Sequence, residues 1–155
     1  MNTKIFIRSA TENDVPVIFA LIKELAEFEK LADQIKTSED ELRNTLFGKD
    51  KFVEILLAEY EHEVVGQALF FKNFSTFLGK PGIYLEDLYV KPDMRGKGIG
   101  KALLDKIISI AKERNYGRVE WSVLDWNLSA IDFYKKMGAE PLEEWKVFRL
   151  TSDKF

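Results

Sequence analysis

A chain of 155 residues, 46% of them hydrophobic and 13% aromatic, has the length of one ordinary domain, and folding can bury roughly 70% of the surface it exposes when unfolded. Its 23 basic and 26 acidic residues leave a formal net charge of -3, an even mixture that speaks against a general nucleic-acid surface, and no window approaches the run of about 18 apolar residues needed to span a membrane. With no cysteine and a single histidine, His62, the chain lacks disulfides, thiol nucleophiles and structural zinc sites, together with most histidine-based metal and triad chemistry, so any catalysis falls to carboxylates, tyrosine, serine or backbone and no metal is expected.

The opening segment, MNTKIFIRSATENDV, carries one short apolar patch that runs straight into a polar helix start. It lacks the apolar stretch and small-residue cleavage site of a signal peptide, so a cytoplasmic location is expected. No linker, low-complexity tract or repeat interrupts the chain, which reads as a single domain over residues 1–155. Residues 4 to 9 form a short predicted strand. Thr11 and Asp14 resemble a capping box, and Ile18, Leu21, Ile22, Leu25 and Phe28 then recur on one face at helical spacing. Ser38 and Glu41 form a second capping box that opens a helix through about Phe47. Phe52 to Tyr60 and Val64 to Lys72 read as strands joined by a tight turn at Glu61-His62-Glu63. Asn73 to Pro81 reads as a loop and residues 83 to 91 as the next strand.

Leu103, Ile107, Ile110 and Ala111 mark a further helix that should stop near Tyr116-Gly117. Val119, Trp121 and Val123 alternate with Arg118, Glu120 and Ser122 as a strand does. Asn127 is an N-cap candidate for a helix carrying Ala130, Ile131, Tyr134 and Met137, with Gly138 at its C-terminal cap. Residues 145 to 150 give a last predicted strand. The order is strand, two helices, three strands, helix, strand, helix, strand, which suits an α/β domain with a mixed sheet.

One stretch stands apart, GIYLEDLYVKPDMRGKGIG at residues 82 to 100, in which Glu86 and Asp87 interrupt an otherwise apolar strand just before a basic, glycine-rich turn. Strict alternation sends Asp87 to the face opposite Glu86, with Leu85 and Tyr89, so that one carboxylate faces a substrate while the other anchors structure. Arg95-Gly96-Lys97-Gly98-Ile99-Gly100 lies between a strand and a helix, where unpaired backbone N–H groups and the helix dipole favour an anion. Two nucleotide motifs fail on spacing. A P-loop ending at Gly100-Lys101 would require glycine at position 95, where Arg95 stands, and a hydroxyl where Ala102 stands; the third glycine of GxGxxG comes one residue early. A helix entry that is merely glycine-rich is the plain alternative to a bound pyrophosphate.

Arg95-x-x-Gly98-x-Gly100, in its strand-turn-helix setting, matches the R/Q-x-x-G-x-G/A signature of the GNAT acetyltransferases. YLED-YV, R-GIG, VLDWN, FYKKMGA and LIKELAEFE further resemble the branch containing spermidine/spermine (diamine) and thialysine acetyltransferases, and the likeness covers nearly the whole chain. The resemblance implies the GNAT fold, a mixed and mostly antiparallel sheet flanked by helices with a strand-turn-helix acetyl-CoA site. It also implies transfer of acetyl from acetyl-CoA, as cosubstrate, to a primary amine by direct attack on the thioester. It assigns Glu86 to amine positioning or water-relayed proton removal and Tyr134 to the general acid at the sulfur, although Tyr134 taken alone reads as a packing residue. Backbone groups of Leu88, Tyr89 and Val90 would pair with the pantetheine arm, while Gly96, Lys97, Gly98, Ile99, Gly100 and Lys101, with Arg95, would hold phosphates. Asn127 has two claims on its side chain, the helix cap and a contact with CoA.

Phe28 and Glu29 match an aromatic-acid pair that holds a distal cation in polyamine acetyltransferases; alone they would be the solvated end of a helix. Ser75 stands where the spermidine/spermine enzymes carry a further acid, which points to thialysine-type members and lysine-like or ornithine-like amines. Glu143-Glu144-Trp145 resembles an acid-acid-glycine-tryptophan turn but is shorter and lacks the glycine. The expected partner is a small-molecule amine, with neither nucleic acid nor membrane, and the resemblance implies a homodimer. Three other readings stand beside this one: acetylation of a protein or peptide amine, a non-catalytic acyl-CoA sensor, and a nucleotide-binding protein using RGKGIG.

Overall fold

In the computed structural model, which describes residues 4–155, the first strand and first helix are joined by charge as well as by sequence. Met1–Thr3, the start of the opening segment, lie outside the described residues. Two residues beyond strand β1 (Ile5–Ser9) stands Thr11, whose N–H donates to Asp14 Oδ2 at 2.7 Å, so the capping pair forms around a single helical turn that leads into α1 (Val15–Phe28). Arg8 donates two hydrogen bonds to Asp14, at 2.8 and 2.9 Å, and a third to Glu59 on the neighbouring strand. These bonds hold the Asp14 carboxyl down at about 2. Because the folded value lies below the ordinary 3.8, the pair contributes stability that is complete above that pH and is lost as pH falls toward 2. Asp14→Asn should therefore cost about 2 kcal/mol at pH 7, and urea melts at pH 7 and pH 2.5 should show most of that difference disappear in acid.

Helix α2 (Glu39–Phe47) is capped by Ser38, whose Oγ accepts from Glu41 N–H at 3.2 Å, one half of the expected capping box. Strands β2 (Glu54–Tyr60), β3 (Glu63–Ser75) and β4 (Lys80–Val90) follow as antiparallel neighbours. The β2–β3 turn places Glu61 and His62 at φ 50° and 73°, the paired left-handed geometry that matches strand twist in two-residue hairpins. After β4 come α3 (Ile99–Glu113) and β5 (Val119–Glu120), giving a five-stranded mixed sheet in the order β1-β2-β3-β4-β5 with only β4–β5 parallel. Ile18 of α1 and Leu46 of α2 pack with Ile55, Leu57 and Leu69 on one face of the sheet. Leu103, Leu104 and Ile107 bury the inner side of α3, whose sheet contacts fall on β1 to β4.

The expected loop from Asn73 to Pro81 is instead mostly hairpin. Asn73, Phe74 and Ser75 pair with Gly82, Pro81 and Lys80, and only residues 76–79 turn. Asn, Pro and Gly together signal a loop, but here the ladder tolerates them. Ile83 N–H donates to Arg118 O, and Pro81 O accepts from Gly117 N–H. Pro81 thus faces away from β3, and its missing N–H costs that ladder nothing. The strand expected around Val119, Trp121 and Val123 is reduced to two residues, since β4 offers it only Ile83 and Tyr84. The preceding helix ends earlier than Gly117 would suggest, because Asn115 takes the left-handed conformation (φ 57°) and Tyr116 N–H bonds back to Ala111 O.

The chain divides into two compact units, one ending at Ser122 and the other Val123–Phe155. The second contains α4 (Leu128–Lys136), capped by Asn127 Oδ1, which accepts the Ala130 N–H at 3.3 Å. Gly138 follows at φ 96°, and Ala139 N–H bonds to Tyr134 O. The strand expected at residues 145–150 does not form. Alternating apolar residues need a partner edge to make a strand; here no ladder includes them, and Trp145, Val147, Phe148 and Leu150 are exposed.

Candidate active site

Within the first unit, the end of β4, the end of α1 and the glycine loop form one neighbourhood. A register shift between Leu69 and Phe70 sets Asp87 opposite Leu69 and Leu85 opposite Phe70, leaving Glu86 as the extra residue of a bulge. Strict alternation therefore fails here. Asp87 shares a face with Tyr89 on the α1 side, as expected, but Leu85 turns to the other face. Glu86 is exposed, whereas Asp87 is half-buried. Burial, with help from the charges of Glu86 and Glu29, pushes the Asp87 carboxyl up to about 6. Burial also raises Glu29, at the C-terminal cap of α1. Asp87 is thus the carboxylate best matched to accept a proton near neutral pH.

Tyr89 anchors this corner. Its hydroxyl donates to Glu24 Oε1 at 3.2 Å, and Glu24 also pairs with Lys91 at 3.4 Å. Burial and the Glu24 charge push the phenol up to about 12, so it stays protonated. Lys91 N–H donates to Val65 O. By the alternation of an antiparallel ladder, the peptide groups of Tyr89 then face β3 while those of Leu88 and Val90 face the outer edge. Along that edge β5 pairs only with Ile83 and Tyr84, which leaves the peptide groups of Leu88 and the N–H of Val90 facing outward for an extended ligand, while Val90 O accepts from Arg95 Nε.

At the loop, Gly96 and Gly98 have φ of 78° and 85°, and a Cβ at either position would meet no atom within 4 Å. The first backbone bond of α3 runs from Ala102 N–H to Gly98 O at 3.0 Å, and the amides from Gly96 to Lys101 have no backbone acceptor among the described residues. This open cradle of N–H groups at a helix start fits a pyrophosphate. The basic side chains are turned elsewhere. Lys97 Nζ lies 5.5 Å from the Tyr60 ring centroid and Lys101 Nζ is 2.7 Å from Asp105. Arg95 donates through Nε to Val90 O at 3.1 Å, its guanidinium 4.8 Å from the Phe28 ring and 5.6 Å from that of Tyr89.

The structure thus gathers Phe28, Glu29, Glu86, Leu88, Tyr89, Val90, Arg95, Gly96, Lys97, Gly98, Ile99, Gly100 and Lys101 within one unit. Asn127 and Tyr134 belong to the second, Asn127 with its side chain on the helix cap and Tyr134 half-buried beside Phe133, ring centroids 5.4 Å apart. Sequence reasoning missed the distinct state of Asp87. No Gly, Pro or Asn marks the bulge at Leu85-Glu86-Asp87, so only the register reveals it.

Residues 19–139 match the profile of the acetyltransferase (GNAT) family. The chain is 42% identical over 160 residues to a thialysine N-epsilon-acetyltransferase from Bos taurus, covering 96% of this chain and 94% of that protein. It is 34% identical over 192 residues to an L-ornithine N5-acetyltransferase from Arabidopsis thaliana, covering 95% and 84%. A V. cholerae integron cassette protein superposes with a TM-score of 0.81 at 25% identity, over 99% of this chain and 96% of that one. Fold, glycine loop and full-length likeness agree, and the chain belongs to the GNAT family of acetyltransferases.

Proposed function

We propose that residues 1–155 form one acetyl-CoA-dependent N-acetyltransferase domain that modifies the primary amine of a small cationic metabolite, an amino acid of the thialysine, lysine or ornithine type or a diamine. The observation that carries this reading is the clustering of three carboxylates, Glu29, Glu86 and Asp87, in the unit that also holds the glycine loop, in a chain about 40% identical over nearly its whole length to thialysine acetyltransferases. The protein works in the cytoplasm as a homodimer, without nucleic acid, membrane or metal.

When bound, acetyl-CoA supplies the activated acetyl group. The amides of Gly96 to Lys101 hold its phosphates, and the outer-edge peptide groups of Leu88 together with the Val90 N–H hold its arm. Tyr89, whose peptide groups face β3, supports that edge. Phe28, Glu29 and Glu86 position the ammonium. An alkyl amine of pKa about 10.4 must lose a proton before it can attack, and an ordinary Asp near 3.9 is a poor acceptor. The Asp87 carboxylate, at about 6, is closer by roughly 2 units, or about 3 kcal/mol, and takes the proton directly or through water. Tyr134 Oη holds the proton that the leaving thiol takes up. Asn127 caps α4 and is the residue there with a side-chain amide for CoA.

Thiol release from acetyl-CoA should therefore be seen with thialysine, ornithine, lysine, putrescine or spermidine, and be far weaker with an amino-terminal peptide. Activity on the peptide alone would transfer the assignment to protein acetylation. Tight CoA binding with no release from any amine would favour a sensor.

A further inference from the structure

We propose that Gln67 is a positioning residue for the reaction, its side-chain carbonyl holding an internal water that donates to Asp87 and keeps that carboxylate ready to accept a proton. This rests on the amine-acetyltransferase reading above, which it deepens. Gln67 lies in β3 and is fully buried, whereas Val65, Ala68, Leu69 and Phe70 of the same strand are buried and apolar. Its Nε2 donates to Ile18 O of α1 at 3.3 Å. A main-chain carbonyl only accepts, so this bond fixes which end of the amide meets the helix. The other end, Oε1, is buried and has no hydrogen-bond partner among the described residues. Buried acceptors of this kind are nearly always met, by protein or by an ordered water.

The strand register supplies the second partner. Gln67 pairs with Tyr89 and Leu69 with Asp87, so Gln67 and Asp87 share the α1 face as diagonal neighbours on adjacent strands. Such neighbours stand roughly 7 Å apart, a gap that one water spans with two hydrogen bonds of about 2.8 Å each. Asp87 makes no hydrogen bond or ion pair among the described residues. The charges that act on it are both acids, Glu86 on its own strand and Glu29 at the end of α1, and β3 sets the apolar Leu69 opposite it. Burial and two acids oppose the ionised form, and a neutral donor offsets them. Water is the donor that fits. Gln67 Oε1 takes one of its hydrogens, which leaves the other for the carboxylate. Once Asp87 has taken the proton of the amine, its own O–H donates to the same water oxygen, so the link serves both states.

Gln67→Met tests this, since it keeps the length of the side chain and removes both polar ends, while Ile18 O keeps its bond within the helix. In NMR titrations of ¹³C-labelled aspartate, with the Asp87 signal assigned from Asp87→Asn, the wild-type midpoint of about 6 should rise by about 1–2 pH units in Gln67→Met, the range of a hydrogen bond to a charged group. The acid limb of kcat/KM should move with it. Activity at pH 6.5 then falls about 3- to 25-fold, a deficit that shrinks as pH rises to 9, with KM for acetyl-CoA unchanged. Gln67→Asn, whose amide reaches one carbon less, should fall between. Equal midpoints in wild type and Gln67→Met would overturn the inference, and a higher melting temperature in that variant would leave Gln67 as an anchor of α1 with an idle oxygen. A midpoint that rose while the limb stayed in place would take the base away from Asp87 and overturn the positioning role with it. Silence of the wild type toward every amine would overturn the acetyltransferase reading, and the midpoint, which needs no turnover, would still decide the link between Gln67 and Asp87.

Discussion

Replacing Asp87 with Asn should cut kcat/KM by about 10²-fold or more, the usual contribution of a positioned base, and at the same time make the protein more stable at alkaline pH. Both effects come from the raised carboxyl. In the folded protein Asp87 titrates at about 6 rather than 3.8, so the native state holds this proton more tightly than the unfolded chain. The stability linked to it is fully present below pH 3.8 and is lost as pH rises to about 6. An uncharged amide of the same shape avoids the buried charge. Asp87→Asn should therefore melt about 6–12 °C higher than wild type at pH 8 and nearly coincide with it at pH 4, a trade of stability against activity. The pH profile provides the second check, because the wild-type kcat/KM should fall on an acid limb with an apparent pKa near 6 that Asp87→Asn lacks. Glu86→Gln should raise KM for the amine and leave that limb in place. If the limb vanished with Glu86→Gln and survived in Asp87→Asn, the base would be Glu86.

Tyr134→Phe should lower kcat about 10²-fold while CoA affinity stays within about twofold of wild type. Transfer from a phenol of pKa about 10 to a thiolate whose conjugate acid lies near 8.5 is uphill by roughly 2 kcal/mol in water, small beside a chemical barrier, so the assignment is energetically sound. The hydroxyl is the only group removed, and the ring remains beside Phe133 on α4. A loss of packing would show itself as a lower melting temperature, whereas a lost general acid would not. Calorimetric titration with CoA and a melting curve separate the two, and equal turnover in the two proteins would sink the role.

Much of this protein was determined locally, and so was legible in the sequence. The capping box at Thr11–Asp14, the Ser38 and Asn127 N-caps, the Gly138 C-terminal cap and the helical spacing from Ile18 to Leu25 depend on neighbours within a few residues, and each appears where the chain alone predicts it. The anion cradle is of the same kind, since its N–H groups belong to contiguous backbone. What depended on partners distant in the chain was decided only by the tertiary structure. Residues 145–150 alternate as a strand does yet join no ladder, and Asn73 to Ser75 look like loop yet pair with Lys80 to Gly82. The two carboxylates at Glu86 and Asp87 are chemically alike in sequence. They part because one extra residue in β4 leaves Glu86 in solvent and sets Asp87 into the α1 face beside Glu29. A proton's affinity for a carboxylate is set by the solvent it loses and the charges it meets, and both come from elements far away in the chain.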